Sequence, residues 1–184
     1  RSLRIGDGRE LDIANLAMEQ NNRFKKSLAL DLKSEEGREA LLKLIETADV
    51  FLTSLRPKAI RALRLDVEHL RARNPRIIYA RGNGLGFRGD EADKPGFDAS
   101  SFWARGGMCY AMTRPGQQPT APRPSLGDHA GSMALAYGIA GALFRRATTG
   151  EPSVVEGSLL ATAVWMLSAD VTYSQAPAYR VHGL

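Results

Sequence analysis

Three short apolar runs, separated by helical periodicity and never by a hairpin turn, constrain this 184-residue chain most. Residues 27–32, 49–53 and 77–80 read as strands. Between the first two, Leu41, Leu42, Leu44, Ile45 and Ala48 recur at three- and four-residue spacing, which predicts a helix over 34–48 with one buried face. Ser34 stands where a cap belongs, and Glu35 and Glu36 lie where the helix dipole favours negative charge. Pro57 suits the first turn of a short helix over 58–65. Asp66 suits the cap of another over 67–73, which ends before Asn74-Pro75. The order strand, helix, strand, helices, strand predicts parallel βαβ units, with residues 28–31, 50–53 and 77–80 as neighbouring strands of an α/β fold.

Beyond residue 81 the pattern changes. A loop over 82–94 holds four glycines, at 82, 84, 86 and 89. A short helix is expected over 98–103, stopped by Gly106-Gly107, and an extended connector over 113–127 contains Pro115, Pro119, Pro122 and Pro124. Residues 129–148 form a long helix of small and apolar side chains on almost every face, so it is expected to be largely buried, by another helix and by a second subunit. A brief strand over 153–156 and a helix over 158–169 follow. The first 26 residues are polar.

Composition excludes several classes. Hydrophobic residues make up 43% and charged residues 24%, ordinary values for a chain that folds around a core. The single cysteine, Cys109, leaves no intrachain disulfide and no cysteine-based metal site, and the three histidines are dispersed, so no metal is expected. Net charge is +5, but the longest basic runs are the pairs Lys25-Lys26 and Arg145-Arg146, which argues against a nucleic-acid face. The most apolar runs, 134–144 and 159–169, are too short to cross a bilayer, and no signal peptide is visible, so the expected setting is the cytoplasm with no membrane partner.

Few residues stand out as chemistry. The glycine loop does not open straight into a helix, which makes it a poor dinucleotide fingerprint; it is either a surface turn or a place where a ligand meets backbone. Arg81 ends a predicted parallel strand, where ligands of open α/β sheets bind, although a surface ion pair is the commoner fate of an arginine. Asp128 precedes the long helix. It reads either as a cap or as a carboxylate nucleophile.

Several strings together resemble the class III coenzyme A transferases, a family that includes formyl-CoA and carnitine-type CoA transferases and α-methylacyl-CoA racemase. They are Asn22-Arg23-Phe24-Lys25-Lys26-Ser27-Leu28-Ala29-Leu30-Asp31-Leu32-Lys33, Ala48-Asp49-Val50-Phe51, Leu55-Arg56-Pro57, Asn74-Pro75-Arg76-Ile77-Ile78-Tyr79, Pro95-Gly96-Phe97-Asp98, Gly127-Asp128-His129-Ala130-Gly131 and Val155-Glu156-Gly157-Ser158-Leu159-Leu160. Their order and spacing agree over residues 20–170. The resemblance implies a Rossmann-like parallel sheet with flanking helices, here an internal N-terminal portion of the large domain of an interlocked homodimer. On that basis residues 1–26 are a polar lead-in, 27–81 the βαβ units, 82–128 the active-site loops and connector, and 129–170 packing helices.

The implied activity is transfer of coenzyme A between an acyl-CoA thioester and a small carboxylic acid. CoA is then a substrate, and no cofactor is tightly bound. Asp128 matches the family's nucleophile. Arg81 resembles an arginine near the CoA phosphates, and Gly82, Asn83, Gly84, Leu85 and Gly86 would run along the pantetheine arm. The racemase branch carries a histidine where this chain has Phe97, which cannot move a proton, so transferase is expected over 2-methylacyl-CoA racemase or a silent CoA-binding protein.

Overall fold

The computed structural model describes residues 3–4, 10–11 and 16–177. The chain divides into two compact units, residues 1–31 and 32–184. In the first, β1 (Leu3–Arg4) pairs antiparallel with β2 (Glu10–Leu11), and α1 spans Leu16–Asn21.

The second unit is built on a parallel sheet whose order follows the chain: β3 (Val50–Thr53), β4 (Ile78–Asn83) and β5 (Val154–Ser158). Helix α2 (Glu35–Ile45) is capped as expected, with the Ser34 hydroxyl accepting the Gly37 N–H at 3.0 Å. Helix α3 (Pro57–Leu63) has its proline in the first turn, and α4 (Val67–Arg73) has Asp66 accepting the His69 N–H at 3.1 Å. After β4 come a π-helix (Asp98–Arg105), α5 (Met108–Met112) and the long α6 (Leu126–Thr149). Helices α7 (Leu159–Met166) and α8 (Ser168–Tyr173) follow β5.

Strand parity divides the two faces of the sheet. Tyr79 and Phe51 are register partners and lie on the face covered by α2 and α4, where Ile45, Leu65, Leu70 and Ile77 complete a buried cluster. The buried Tyr79 hydroxyl donates to the Leu65 carbonyl at 2.9 Å. Asn74 ties α2 to α4 by donating to the carbonyls of Ile45 and Ala48, both at 2.9 Å. The opposite face carries Gly82 and Gly157, which are also register partners, under α6. A Cβ on Gly82 would lie 2.8 Å from Leu135 Cδ1, so the paired glycines are what let α6 settle onto the strands. A second cluster, Phe102, Trp103, Met108 and Ala163, joins the π-helix, α5 and α7. Tyr79→Phe is expected to cost about 1–2 kcal/mol, because it leaves a buried carbonyl without its donor. Urea melts of the two proteins check this, and equal midpoints would contradict it.

One expectation is corrected. Residues 27–31 form no ladder with any strand among the described residues, and Leu28 is exposed. Alternating leucines state which side of a strand would be apolar, but a strand also needs a neighbour's N–H and C=O groups. The third member of the parallel sheet is β5, which the sequence marked only as a brief strand. This chain alone covers helix α6 only in part: Gly127 and Ala142 are buried, and Met133, Tyr137 and Phe144 form an exposed apolar stripe, with Tyr137 84% exposed. One side of α6 packs on β4, β5 and α7, and its crowded small residues supply the rest of the apolar pattern.

Candidate active site

The C-terminal edge of the parallel sheet opens into a cleft of about 460 Å³, where ligands of open α/β sheets characteristically bind. Its floor is Gly82, Asn83 and Gly84 from the end of β4, and Gly157 and Ser158 from the end of β5. Ser54 and Arg56 contribute from the β3–α3 loop, and Lys94 to Phe97 from the segment before the π-helix. Asp128, Gly131, Ser132 and Leu135 face it from α6. Asp128 is the one carboxylate among these described lining residues.

Asp128 is not a cap. Helix α6 begins three residues earlier than expected, so Asp128 sits in the first turn, with Ser125 at the cap position in the left-handed region (φ 59°) and making no side-chain capping bond. The capping role falls to Asp98, whose Oδ1 accepts the Gly127 N–H at 2.9 Å. The other end of α6 is anchored by Arg146, which donates to the carbonyls of Asp49 at 3.1 Å and Arg76 at 3.0 Å, both just ahead of strands. Asp128 keeps contact with solvent across the cleft. Partial burial nevertheless raises its pKa from the ordinary value; the negative charge of Asp98 adds to the shift and His129 opposes it.

The glycine loop resolves into tight backbone packing. Asn83 donates to the Gly86 carbonyl at 2.7 Å and accepts the Gly86 N–H at 2.6 Å, with Gly86 at φ 100°. Gly84 lies so close to Gly96 that a Cβ would approach the Gly96 Cα to 2.5 Å. The Gly84 carbonyl accepts the Leu160 N–H at 3.0 Å, which fixes the loop to the start of α7.

Of the residues that sequence reasoning named, Asp128, Gly82, Asn83 and Gly84 line the cleft, whereas Arg81, Leu85 and Gly86 are not among the lining residues. Arg81 shares the face of Tyr79 and Asn83, but its side chain is held against the neighbouring strand rather than at the strand's end. Its guanidinium pairs with Glu156, its register partner on β5, through an Nε–Oε1 bond of 2.9 Å, and stacks over Phe87 at 4.3 Å. Sequence reasoning missed Arg56 and Lys94 as lining residues and Asp98 as the trans cap. Arg56-Pro57 at the end of a strand was the available signal for the first; an acid acting 29 positions away leaves none. Among the described residues no group of acidic, histidine or cysteine side chains could hold a metal ion, and no helix is long and apolar enough to cross a membrane.

Comparison with known proteins agrees with this architecture. The chain is 39% identical over 170 residues to cinnamoyl-CoA:phenyllactate CoA-transferase of Clostridium sporogenes, covering 92% of this chain and 40% of that protein. It is 35% identical over 162 residues to human alpha-methylacyl-CoA racemase, covering 88% of this chain and 41% of that protein. The chain thus spans about two fifths of the length of these curated relatives. The crystal structure of a CAIB/BAIF family protein from Brucella suis superposes with a TM-score of 0.84 at 25% identity, covering 97% of this chain and 46% of that one. The family model for CoA-transferase family III matches residues 2–183, and the chain belongs to that family.

Proposed function

We propose that the full-length protein transfers coenzyme A between an acyl-CoA thioester and a carboxylic acid, with Asp128 as the covalent nucleophile. Asp128 carries this reading, because it is the one carboxylate among the described residues that line the cleft. Its raised pKa marks a more basic and hence more nucleophilic carboxylate.

The steps balance as follows. A carboxylate oxygen of Asp128 attacks the thioester carbonyl; the C–S bond breaks and CoA thiolate leaves a mixed anhydride. The thiolate attacks the aspartyl carbonyl, which releases the donor acid and leaves an aspartyl–CoA thioester. The acceptor carboxylate then attacks that carbonyl and expels the thiolate again. Finally the thiolate takes the new acyl group and restores Asp128. Each intermediate is an activated acyl group, so the cleft must keep water out. Arg56 and Lys94 make the cleft wall attractive to an anionic ligand such as CoA, and Gly82, Asn83 and Gly84 let its chain lie against backbone. Arg81 supports that floor by holding β5 and Phe87. A homodimer of the interlocked kind would cover the apolar stripe on α6.

Hydroxylamine added with an acyl-CoA to the full-length protein should yield an aspartyl hydroxamate at residue 128, read by peptide mass spectrometry. Deuterium exchange at the α-carbon of a 2-methylacyl-CoA, with no hydroxamate, would overturn the transferase reading in favour of racemisation. Phe97, 73% exposed at the cleft, offers no proton-transfer group for that reaction.

A further inference from the structure

Two carboxylates meet at the start of α6, and the proposed chemistry uses only one. The other, Asp98, opens the π-helix and accepts the N–H of Gly127, the residue directly before Asp128, at 2.9 Å. Helix α6 needs this contact, since the first-turn N–H groups of a helix lack partners and Ser125 supplies no side-chain bond. The same junction is closed sterically: a Cβ on Gly127 would lie 2.3 Å from Phe102 Cγ and 2.5 Å from Asp98 Oδ1. A hydrogen bond and a van der Waals stop therefore fix the turn that carries Asp128.

We infer that Asp98 is a positioning residue for Asp128: its carboxylate clamps the first turn of α6 so that the neighbouring carboxylate faces the cleft, and it holds a second negative charge beside it. This rests on the reading of Asp128 as nucleophile. The charged or titratable groups around Asp128 are Asp98 from the π-helix, His129 from its own helix, and Arg56 and Lys94 from the loops lining the same cleft. The packed strands add none on this face, because Arg81 and Glu156 lie on the other one. Asp98 raises the basicity of Asp128, which strengthens a carboxylate as a nucleophile.

Hydroxamate formation at Asp128, measured against pH in the full-length protein, tests this with two variants. Asp98→Asn keeps the acceptor for Gly127 and removes the charge. Its acid limb should move to lower pH and its plateau rate should fall, with CoA affinity unchanged. Asp98→Ala loses the clamp as well, and its plateau should fall further, by up to ~10²-fold, the cost of misplacing a reacting group by about 1 Å. If the Asn variant superposes on the parent in both limb and plateau, Asp98 is a structural cap only and the inference is wrong. Should the parent form no hydroxamate, the nucleophile reading fails instead. Carbon-13 NMR titration of the Asp128 carboxyl then decides the point: Asp98→Asn lowers its pKa if Asp98 sets the charge there, and leaves it unmoved if it does not.

Discussion

Asp128→Asn should lower CoA transfer by the full-length protein at least ~10³-fold, about 4 kcal/mol of transition-state stabilisation, with CoA affinity close to the parent's. Asparagine matches aspartate in size and lacks the anionic oxygen that forms the anhydride. The structure makes this substitution cleaner than its place in the sequence suggests. Asp128 does not cap α6; that bond runs from Gly127 to Asp98 and survives the change. Stability should move the opposite way to activity. A carboxyl whose folded pKa is raised contributes stability that is present below its unfolded pKa and lost as pH rises through the folded value. Above its folded pKa the ionised Asp128 is therefore a small burden on the fold, and there the Asn variant should melt at the same temperature or slightly higher. A variant that transfers CoA at near the parent rate would remove Asp128 from the chemistry.

The second large effect is expected at Gly127. Alanine there must displace Phe102, which is fully buried at 0% exposure, and crowd Asp98. The clashing atoms are Phe102 Cβ and Cγ, close to the π-helix backbone, so a rotamer change cannot relieve them. We expect Gly127→Ala to destabilise the protein by about 3 kcal/mol, the upper part of the range for overpacking a tight core. It should also slow hydroxamate formation, since the turn bearing Asp128 moves with it. Thermal melts and trapping rates read the two effects separately. A variant as stable and as reactive as the parent would show that the junction between the π-helix and α6 is looser than the structure has it.

How far the sequence reached depended on whether a signal was local. Helix α4 is found at the expected residues because its cap, its apolar spacing and the Asn74-Pro75 stop all lie within one short stretch. Strands β3 and β4 and their parallel pairing were legible for a similar reason: short apolar runs linked by helices leave few topologies. Non-local facts were harder. Residues 27–32 have strand-like leucines, yet alternation carries no information about a partner. Family resemblance puts Arg81 near the CoA phosphates, whereas its guanidinium pairs with Glu156 on the neighbouring strand, a partner 75 positions away. The start of α6 was placed at residue 129 because Asp128 looked like a local cap; the true cap is an aspartate on another helix. Asp93 does the same for α3, accepting the Lys58 N–H at 3.0 Å from 35 positions away.

The central claim is that the Asp128 carboxylate exchanges an oxygen with the acceptor acid. An acceptor carboxylate labelled with oxygen-18 attacks the aspartyl–CoA carbonyl, and one labelled oxygen bridges the resulting anhydride. When CoA thiolate removes the acyl group, that oxygen stays on the enzyme. A single turnover of the full-length protein with labelled acceptor, followed by proteolysis and mass spectrometry, should therefore find one oxygen-18 in the peptide containing Asp128 and located on that side chain, and continued turnover should label the second oxygen as well. Product formation with no label in that peptide, or with label on another carboxylate, would contradict the account.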